Sequence, residues 1–474
     1  MEKVIETDIA IIGGGPAGYV GAIRATQLNA KVVLIEKREL GGTCLNRGCI
    51  PTKVFVESAR HCKALREMPR FGLKSDYLGV DFPRIQKRKR IIVKRLVKGI
   101  QYLLRNGKVE VLRGEGRFID PHLISVTGWD EKYRVTKYRV SAKKVIIATG
   151  SKPLIVPIPG IDGPKVLTSE SILDLVDIPK SLIVIGGGAI GGEFACVFRC
   201  FEETQVTIIE MLDRLIPMED PELGEELKAA FNRVGIGVHT GSRVTRISDT
   251  PTGNKRVTFI DPDGNEQNIE AEYVLVSIGR APVIEGLNLD GIGVLYGRGI
   301  IVNNKMETNV PDVYAAGDVV QGVPSPMLAY TASAEGEVAV ENALGYEVEM
   351  NYDAIPSGIF TNPEVASVGL IEEKAKEKYG EILVGKFPFQ GNGRAVIVGQ
   401  NRGLVKVILN AKTTEIVGVH IIGPHATELI AEGALAVANH MKAADLVKVQ
   451  HGHPVLYETI KEATLDALGR AIHK

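Results

Sequence analysis

The chain has 474 residues, 45% of them hydrophobic and 24% charged, which is enough for roughly three or four domains with cores of their own. Lysine plus arginine (57) balances aspartate plus glutamate (57), so no global field favours nucleic acid or an anionic membrane. No apolar run approaches the ~18 residues of a membrane span, and five cysteines in this length point to a reducing, cytoplasmic compartment where a lasting structural disulfide has little place.

The first strand-like segment, "ETDIAIIGGG", begins so early that it is read as leaving no room for a cleavable leader. "DIAIIGGGPAGYVGAIRATQLNAKVVLIEK" reads as strand, glycine turn, helix, strand. Ile9 to Ile12 run into Gly13, Gly15 and Gly18, and the second strand ends at Glu36. "GGTCLNRGCIPTK" follows, carrying Cys44 and Cys49. The stretch Arg84–Gly107 is basic and helix-like, and a hairpin-like region then closes on "KKVIIATGS". The opening order returns in "SLIVIGGGAIGGEFACVFRCFEETQVTIIE", with Gly186, Gly188, Gly191 and a terminal Glu210, and "AEYVLVSIGRAP" closes this second copy. "NVPDVYAAGDVV" and a helix through "ASAEGEVAVENALG" come next. After about Asn351 the texture changes to strands ("RGLVKVILN", "EIVGVHIIG") and amphipathic helices, ending in "QHGHPVLYETIKEATLDALG". The organisation expected is an α/β chain with a first nucleotide domain over 1–152, a second over 153–281, a central segment 282–350 and an α+β domain over 351–474.

A lone glycine fingerprint is weak, but each copy here has a strand before the turn, a helix after it and an acid closing the next strand. The first glycine permits the turn, the second lets a pyrophosphate approach the backbone, and the third lets helix and strand pack closely. The helix N-terminus faces the diphosphate and the acid takes ribose hydroxyls. Two complete copies therefore predict two dinucleotides. Glu210 accepts from a free 2′-hydroxyl and repels a 2′-phosphate, and Met211 and Leu212 supply no cation, so the second site favours NAD over NADP. Arg214, a few residues on, has a solvated role as its competing account. FAD and NAD use the same turn, so glycines alone leave the first site unnamed.

For Cys44 and Cys49, a metal site lacks neighbouring ligands before His61 and Cys62, so no metal is expected. Pro51 suits a helix's first turn, which puts Cys49 at or just before a helix N-terminus, where a thiolate is stabilised, with Lys53 adding positive charge. A low-pKa thiol in a short ring that closes and reopens is what thiol–disulfide exchange requires, so the local chemistry favours a redox pair over inert thiols. In "HGHPVLYE", Glu458 stands five residues after His453 and could hold one imidazole nitrogen while the other meets a reacting thiol. On spacing alone a helix-start role for Glu458 is equally open. The basic stretch Arg84–Lys98 is better read as a solvated amphipathic helix, with Ile91, Ile92, Leu96 and Val97 interleaved, than as a docking surface.

Together these pieces resemble the class I pyridine nucleotide-disulfide oxidoreductases, and within them the dihydrolipoamide dehydrogenase (E3) branch. "IIGGGPAGYVGAIRA", "GGTCLNRGCIPTK", "IATGS", "IGGGAIGGEFA", "EMLDRLIP", "SIGRAP", "VYAAGD", "PMLAY", "FTNPEVASVG", "GVHIIGPHATELI" and "HGHPVLYE" carry the likeness in order along nearly the whole chain. The resemblance implies two Rossmann-like FAD/NAD(P)-binding domains and a C-terminal α+β dimerisation domain. It implies FAD at Gly13, Gly15, Gly18, Glu36, Gly116, Thr149, Gly150, Asp318 and the Met327, Leu328 and Ala329 backbone, with Lys53 beside the flavin and paired to Glu193. It implies NAD at Gly186, Gly188, Gly191, Glu210, Val244 and Gly279. Cys44 would exchange with substrate, Cys49 would face the flavin, and His453 and Glu458 would come from the other subunit of a homodimer. The implied reaction oxidises dihydrolipoamide, borne by an E2 or glycine-cleavage H-type protein, with NAD⁺. A relative that uses NADH to reduce another disulfide or small electron acceptor is the alternative, and a redox-sensing binding protein is a third. Missing NADP cations argue against glutathione-reductase-like relatives. The chain departs from the family at Val455 and Tyr457 (usually Thr and Ser), Tyr330 (His) and Val283 (Asn), and Tyr457 is the bulkiest departure on the substrate side.

Overall fold

The structure, a computed structural model, describes residues 3–74, 76–129, 135–201 and 204–474. Its chain divides into two compact units, one of Met1–Val54, Pro83–Leu154 and Gly279–Tyr352, the other of Phe55–Phe82, Ile155–Ile278 and Asp353–Lys474. No helix among the described residues is long and apolar enough to cross a membrane.

In the first unit the strand Lys3–Ile12, apolar from Ile9 to Ile12, is the middle strand of a parallel set. Val32–Glu36 and then Glu110–Asp120 lie on one side of it, and Val135–Ile147 and then Val313–Ala315 on the other. Continuous β-branched residues suit strands covered on both faces, and Ile9, Ile11, Leu34 and Ile146 are fully buried. The hairpin-like region is an antiparallel meander, Glu110–Asp120 with Leu123–Trp129 and then Val135–Ile147. Helices Pro16–Gln27 and Ala329–Ala343 cross closely because both lack side chains at the contact. A Cβ on Gly336 would stand 2.3 Å from the Ala17 carbonyl oxygen.

The basic stretch is one helix, Phe82–Asn106, but its inward face differs from the one read from the sequence. Gln86, Lys89, Ile100 and Leu104 are buried, with Val93 and Val97 half-buried between them, whereas Ile91 and Leu96 are exposed. The inward residues follow 3.6-residue spacing through two polar positions, and a reading of apolar residues alone skips Gln86 and Lys89.

The second unit holds a five-stranded parallel sheet in the order Ile236–His239, Gln205–Ile209, Ser181–Ile185, Tyr273–Val276, Val166–Thr168, and a three-stranded antiparallel sheet from Arg243–Asp249 to Glu266–Ala271. Its C-terminal part is a five-stranded antiparallel sheet in the order Ser357–Ile359, Glu364–Gly369, Ile416–Gly423, Leu404–Asn410, Ile382–Pro388. Helices Ala426–Ala438 and Glu458–Ala467 pack on it. Charged joints tie these parts. Buried Lys406 reaches Asp220 (2.9 Å) and Glu372 (2.8 Å), and Glu219 takes the hydroxyls of Ser357 (2.6 Å) and Ser367.

Candidate active site

Each glycine turn is glycine for internal reasons at its first and third positions and open at its second. Gly13 has φ +114°, and a Cβ on it would lie 2.1 Å from the Ala148 carbonyl oxygen, while one on Gly18 would lie 1.8 Å from that of Gly13. The second copy repeats this, with Gly186 at φ +102° and a Gly191 Cβ 2.0 Å from the Gly186 oxygen. A Cβ on Gly15 would meet only the Gly42 Cα, at 3.9 Å, and one on Gly188 would meet nothing within 4 Å. Gly15 and Gly188 are also the N-caps of helices Pro16–Gln27 and Ala189–Cys200, neither of which has a side-chain cap. Bare backbone at an uncapped N-terminus fits a diphosphate.

The closing acids are held alike. Glu36 accepts the N–H groups of Gly14 (2.7 Å) and Arg38 (2.6 Å), and Glu210 those of Gly187 (2.5 Å) and Leu212 (2.8 Å). Each carboxylate oxygen keeps a lone pair for a ribose hydroxyl. In the first unit a cleft runs from Gly13 and Glu36 past Gly116 and Thr149 to Val283. Thr149 donates to the Val283 carbonyl (2.6 Å), and Gly150, at φ +71°, has open space where a Cβ would stand. Arg280 donates to the Ser151 hydroxyl (2.7 Å), which donates to Asp318. Met327 and Leu328 precede, and Ala329 begins, the helix Ala329–Ala343, again without a side-chain cap. In the second unit Val244 is buried beside an irregularity in its strand, and Glu193 is buried and accepts the Phe360 N–H (3.0 Å). Gly279, at φ +123°, belongs to the first unit. Arg214 is engaged by Asp213 (3.3 Å) and the Pro217 carbonyl (3.3 Å).

Cys44 lies in the short helix Gly42–Arg47, and Cys49 begins the helix Cys49–Glu67. Gly41 (φ +91°) and Gly42 (φ +58°) bend this segment onto the first nucleotide turn. Gly41 donates to the Gly14 carbonyl (2.8 Å), and a Cβ on Gly42 would sit 2.7 Å from the Gly15 Cα. Asn46 donates to the Leu40 and Gly42 carbonyls (3.0 and 2.9 Å), Arg47 pairs with Glu39 (2.6 Å), and the Thr52 hydroxyl donates to the Gly48 carbonyl (2.7 Å). Both cysteines are thiols here. Their side chains hydrogen-bond, and this contact, aided by burial, pushes the Cys44 thiol far up, with Lys53 pulling the other way. Cys44 is half-buried and Cys49 exposed, so the pair is unequal. Burial also raises the Cys196 and Cys200 thiols in the second unit.

His453 Nδ1 lies 2.9 Å from Glu458 Oε1, and the other Glu458 oxygen accepts the Val455 N–H (2.9 Å). Burial would raise Glu458, but the Val455 N–H and the imidazole outweigh it and hold the carboxyl below its usual range. Glu458 also begins the helix Glu458–Ala467, so both roles left open by its spacing are present.

Sequence reading missed Glu335. Wholly buried, it accepts the Gly317 N–H (2.7 Å) and the Tyr352 hydroxyl (2.8 Å) and hydrogen-bonds Ser325, while burial drives its pKa upward. One carboxylate thus ties the segment before Asp318 to the loop before Met327. Its signal was an acid on the same helical face as Thr331, Ala332 and Ala339, all buried.

Family models for the pyridine nucleotide-disulphide oxidoreductases match residues 7–336, and their dimerisation domain matches residues 355–464. The chain belongs to this family of oxidoreductases. A dihydrolipoyl dehydrogenase of Bacillus subtilis is 41% identical over 472 residues, covering 98% of this chain and 99% of its own. A leghemoglobin reductase of Glycine max is 40% identical over 465 residues, covering 97% and 87% respectively. The crystal structure of LpdA from Mycobacterium tuberculosis superposes with a TM-score of 0.86 at 28% identity, covering 97% of this chain and 99% of that one.

Proposed function

We propose that this chain oxidises protein-bound dihydrolipoamide to lipoamide with NAD⁺ as acceptor, as an FAD-dependent dihydrolipoyl dehydrogenase. The hydrogen-bonded pair Cys44 and Cys49, fastened by Gly41 and Gly42 to the first nucleotide turn, carries this reading. Gly13, Gly15, Gly18, Glu36, Gly116, Thr149, Gly150, Asp318 and Met327–Ala329 would hold FAD, with Lys53 beside it and paired to Glu193. Gly186, Gly188, Gly191, Glu210, Val244 and Gly279 would hold NAD. The domain limits that go with this are 1–152 for FAD, 153–281 for NAD, 282–350 completing the FAD site and 351–474 for the dimer.

When bound, FAD supplies the two-electron transfer between the thiols and NAD⁺. With Cys44 and Cys49 joined as a disulfide, one substrate thiol gives its proton to solvent, its sulfur attacks Cys44 and the Cys49 thiolate leaves. His453 takes the proton of the second substrate thiol, which then attacks the first substrate sulfur. Lipoamide departs and Cys44 takes the proton from His453 to recover its thiol. Glu458 fixes the imidazole so that Nε2 faces outward to do this. In the homodimer that the dimerisation domain supports, His453 of each subunit would serve the thiol pair of the other. Five cysteines in 474 residues support a reducing, cytoplasmic setting.

A second reading, NADH-driven reduction of another disulfide or small acceptor, is favoured by Val455 and Tyr457 beside the histidine. Anaerobic titration of the flavoprotein with dihydrolipoamide and NAD⁺ separates the two. Stoichiometric NADH formation is expected. No reduction by dihydrolipoamide, with rapid turnover of another disulfide by NADH, sinks the first reading.

A further inference from the structure

Tyr457 has a definite job in its loop. Its hydroxyl accepts the Gly452 N–H (3.3 Å) and its ring packs on that of His451, with centroids 5.4 Å apart. His451 is itself pinned, with Nε2 2.8 Å from Glu432 and Nδ1 3.0 Å from the Val449 carbonyl. The neighbouring Glu458 takes His453 and Val455. Two consecutive side chains at the start of the helix Glu458–Ala467 therefore divide the loop, Tyr457 bracing 451–452 and Glu458 bracing 453 and 455. Gly452 is matched to this arrangement. A Cβ on it would stand 3.0 Å from the Tyr457 hydroxyl oxygen, which is carried by a rigid ring that cannot fold aside as a flexible chain would.

We propose that Tyr457 is a positioning residue that fixes His453 by holding Gly452, and that Gly452 and Tyr457 are a mutually dependent pair. Tyr457 then does not block the thiol chemistry. It is a brace that aims the imidazole. Only the role of His453 rests on the dithiol-oxidising reading; the brace stands on the loop geometry.

Two measurements on the FAD-loaded protein test this. In Tyr457→Phe, which keeps the ring and loses the acceptor, hydrogen–deuterium exchange at the Gly452 amide should speed up about fivefold or more. The acid limb of the pH profile of kcat/KM for dihydrolipoamide should also move as His453 loses its fixed setting. In a double-mutant cycle, Gly452→Ala should lower kcat/KM about tenfold, and Gly452→Ala/Tyr457→Ser should recover to within about twofold of Tyr457→Ser alone. Unchanged exchange in Tyr457→Phe, or effects of the two substitutions that simply multiply, would overturn the proposal. Wild-type protein that fails to oxidise dihydrolipoamide overturns the functional reading instead, and the exchange measurement still decides whether the brace exists.

Discussion

The two nucleotide turns are built to one plan and then put to different uses. In each, the carbonyl of the glycine after the first accepts an N–H from the segment beyond the acid, Gly41 to Gly14 (2.8 Å) in the first copy and Ile216 to Gly187 (2.9 Å) in the second. Beyond Gly41 the chain turns into Gly42–Arg47 with Cys44 and then the helix of Cys49. Beyond Ile216 it runs to Asp220, which caps the helix Pro221–Arg233. The same anchor thus delivers a thiol pair to one turn and a plain helix cap to the other. Chemistry in this molecule comes from what is hung on a shared turn, and the turn itself is neutral as to function.

Breaking that asymmetry should have the largest effect. Cys44→Ser and Cys49→Ser should each lower dihydrolipoamide oxidation by ~10³-fold or more while NADH still bleaches the flavin. After two-electron reduction Cys49→Ser should lack the long-wavelength thiolate–flavin absorbance and Cys44→Ser should keep it. A band that survives in Cys49→Ser ends the assignment of unequal roles. Next come the packing glycines. Gly18→Ala and Gly191→Ala place a methyl 1.8 and 2.0 Å from backbone oxygen, so each should destabilise by about 1–3 kcal/mol in thermal unfolding. Gly18→Ala should shed flavin, and Gly191→Ala should keep it and bind NAD less tightly. If both lose flavin equally, the division of cofactors between the turns is wrong. Glu36→Ala and Glu210→Ala should be milder, weakening their own cofactor about tenfold, read by flavin retention and by KM for NAD⁺.

Much of this was legible because it is local. The glycine spacing and closing acids sit within thirty residues, and their physical demands on backbone and hydroxyls leave few other readings. Cys49 at a helix start followed from Pro51 two residues on. What escaped depends on distant segments or on the direction of one side chain. Glu335 meets Gly317 and Tyr352 across 18 and 17 residues. The inward face of Phe82–Asn106 runs through Gln86 and Lys89, which no hydrophobic pattern marks. Tyr457 looked like an obstacle because spacing does not say that its hydroxyl turns to Gly452.

The smallest effect concerns Glu335. Burial raises its native pKa above the unfolded value of about 4.3, so the folded chain holds this proton more tightly than the unfolded chain does. Its stabilising contribution is complete below that pH and fades as pH rises through the raised native value. Glu335→Gln, which mimics the protonated acid, should match wild type in acid and gain a few degrees in Tm over it as pH climbs through that window. Parallel Tm curves for the two proteins would remove the carboxylate from the account.

The helix Phe82–Asn106 carries nine lysines and arginines and no acid, in a chain whose formal charge is zero. The remaining residues must therefore carry nine more negative charges than positive ones. A molecule neutral in sum thus carries its charge unevenly along the chain. Added salt, with a screening length of ~10 Å at 0.1 M, should weaken attraction between this basic helix and acidic surface on other copies, and so raise solubility near neutral pH where net charge alone gives no reason for it to change.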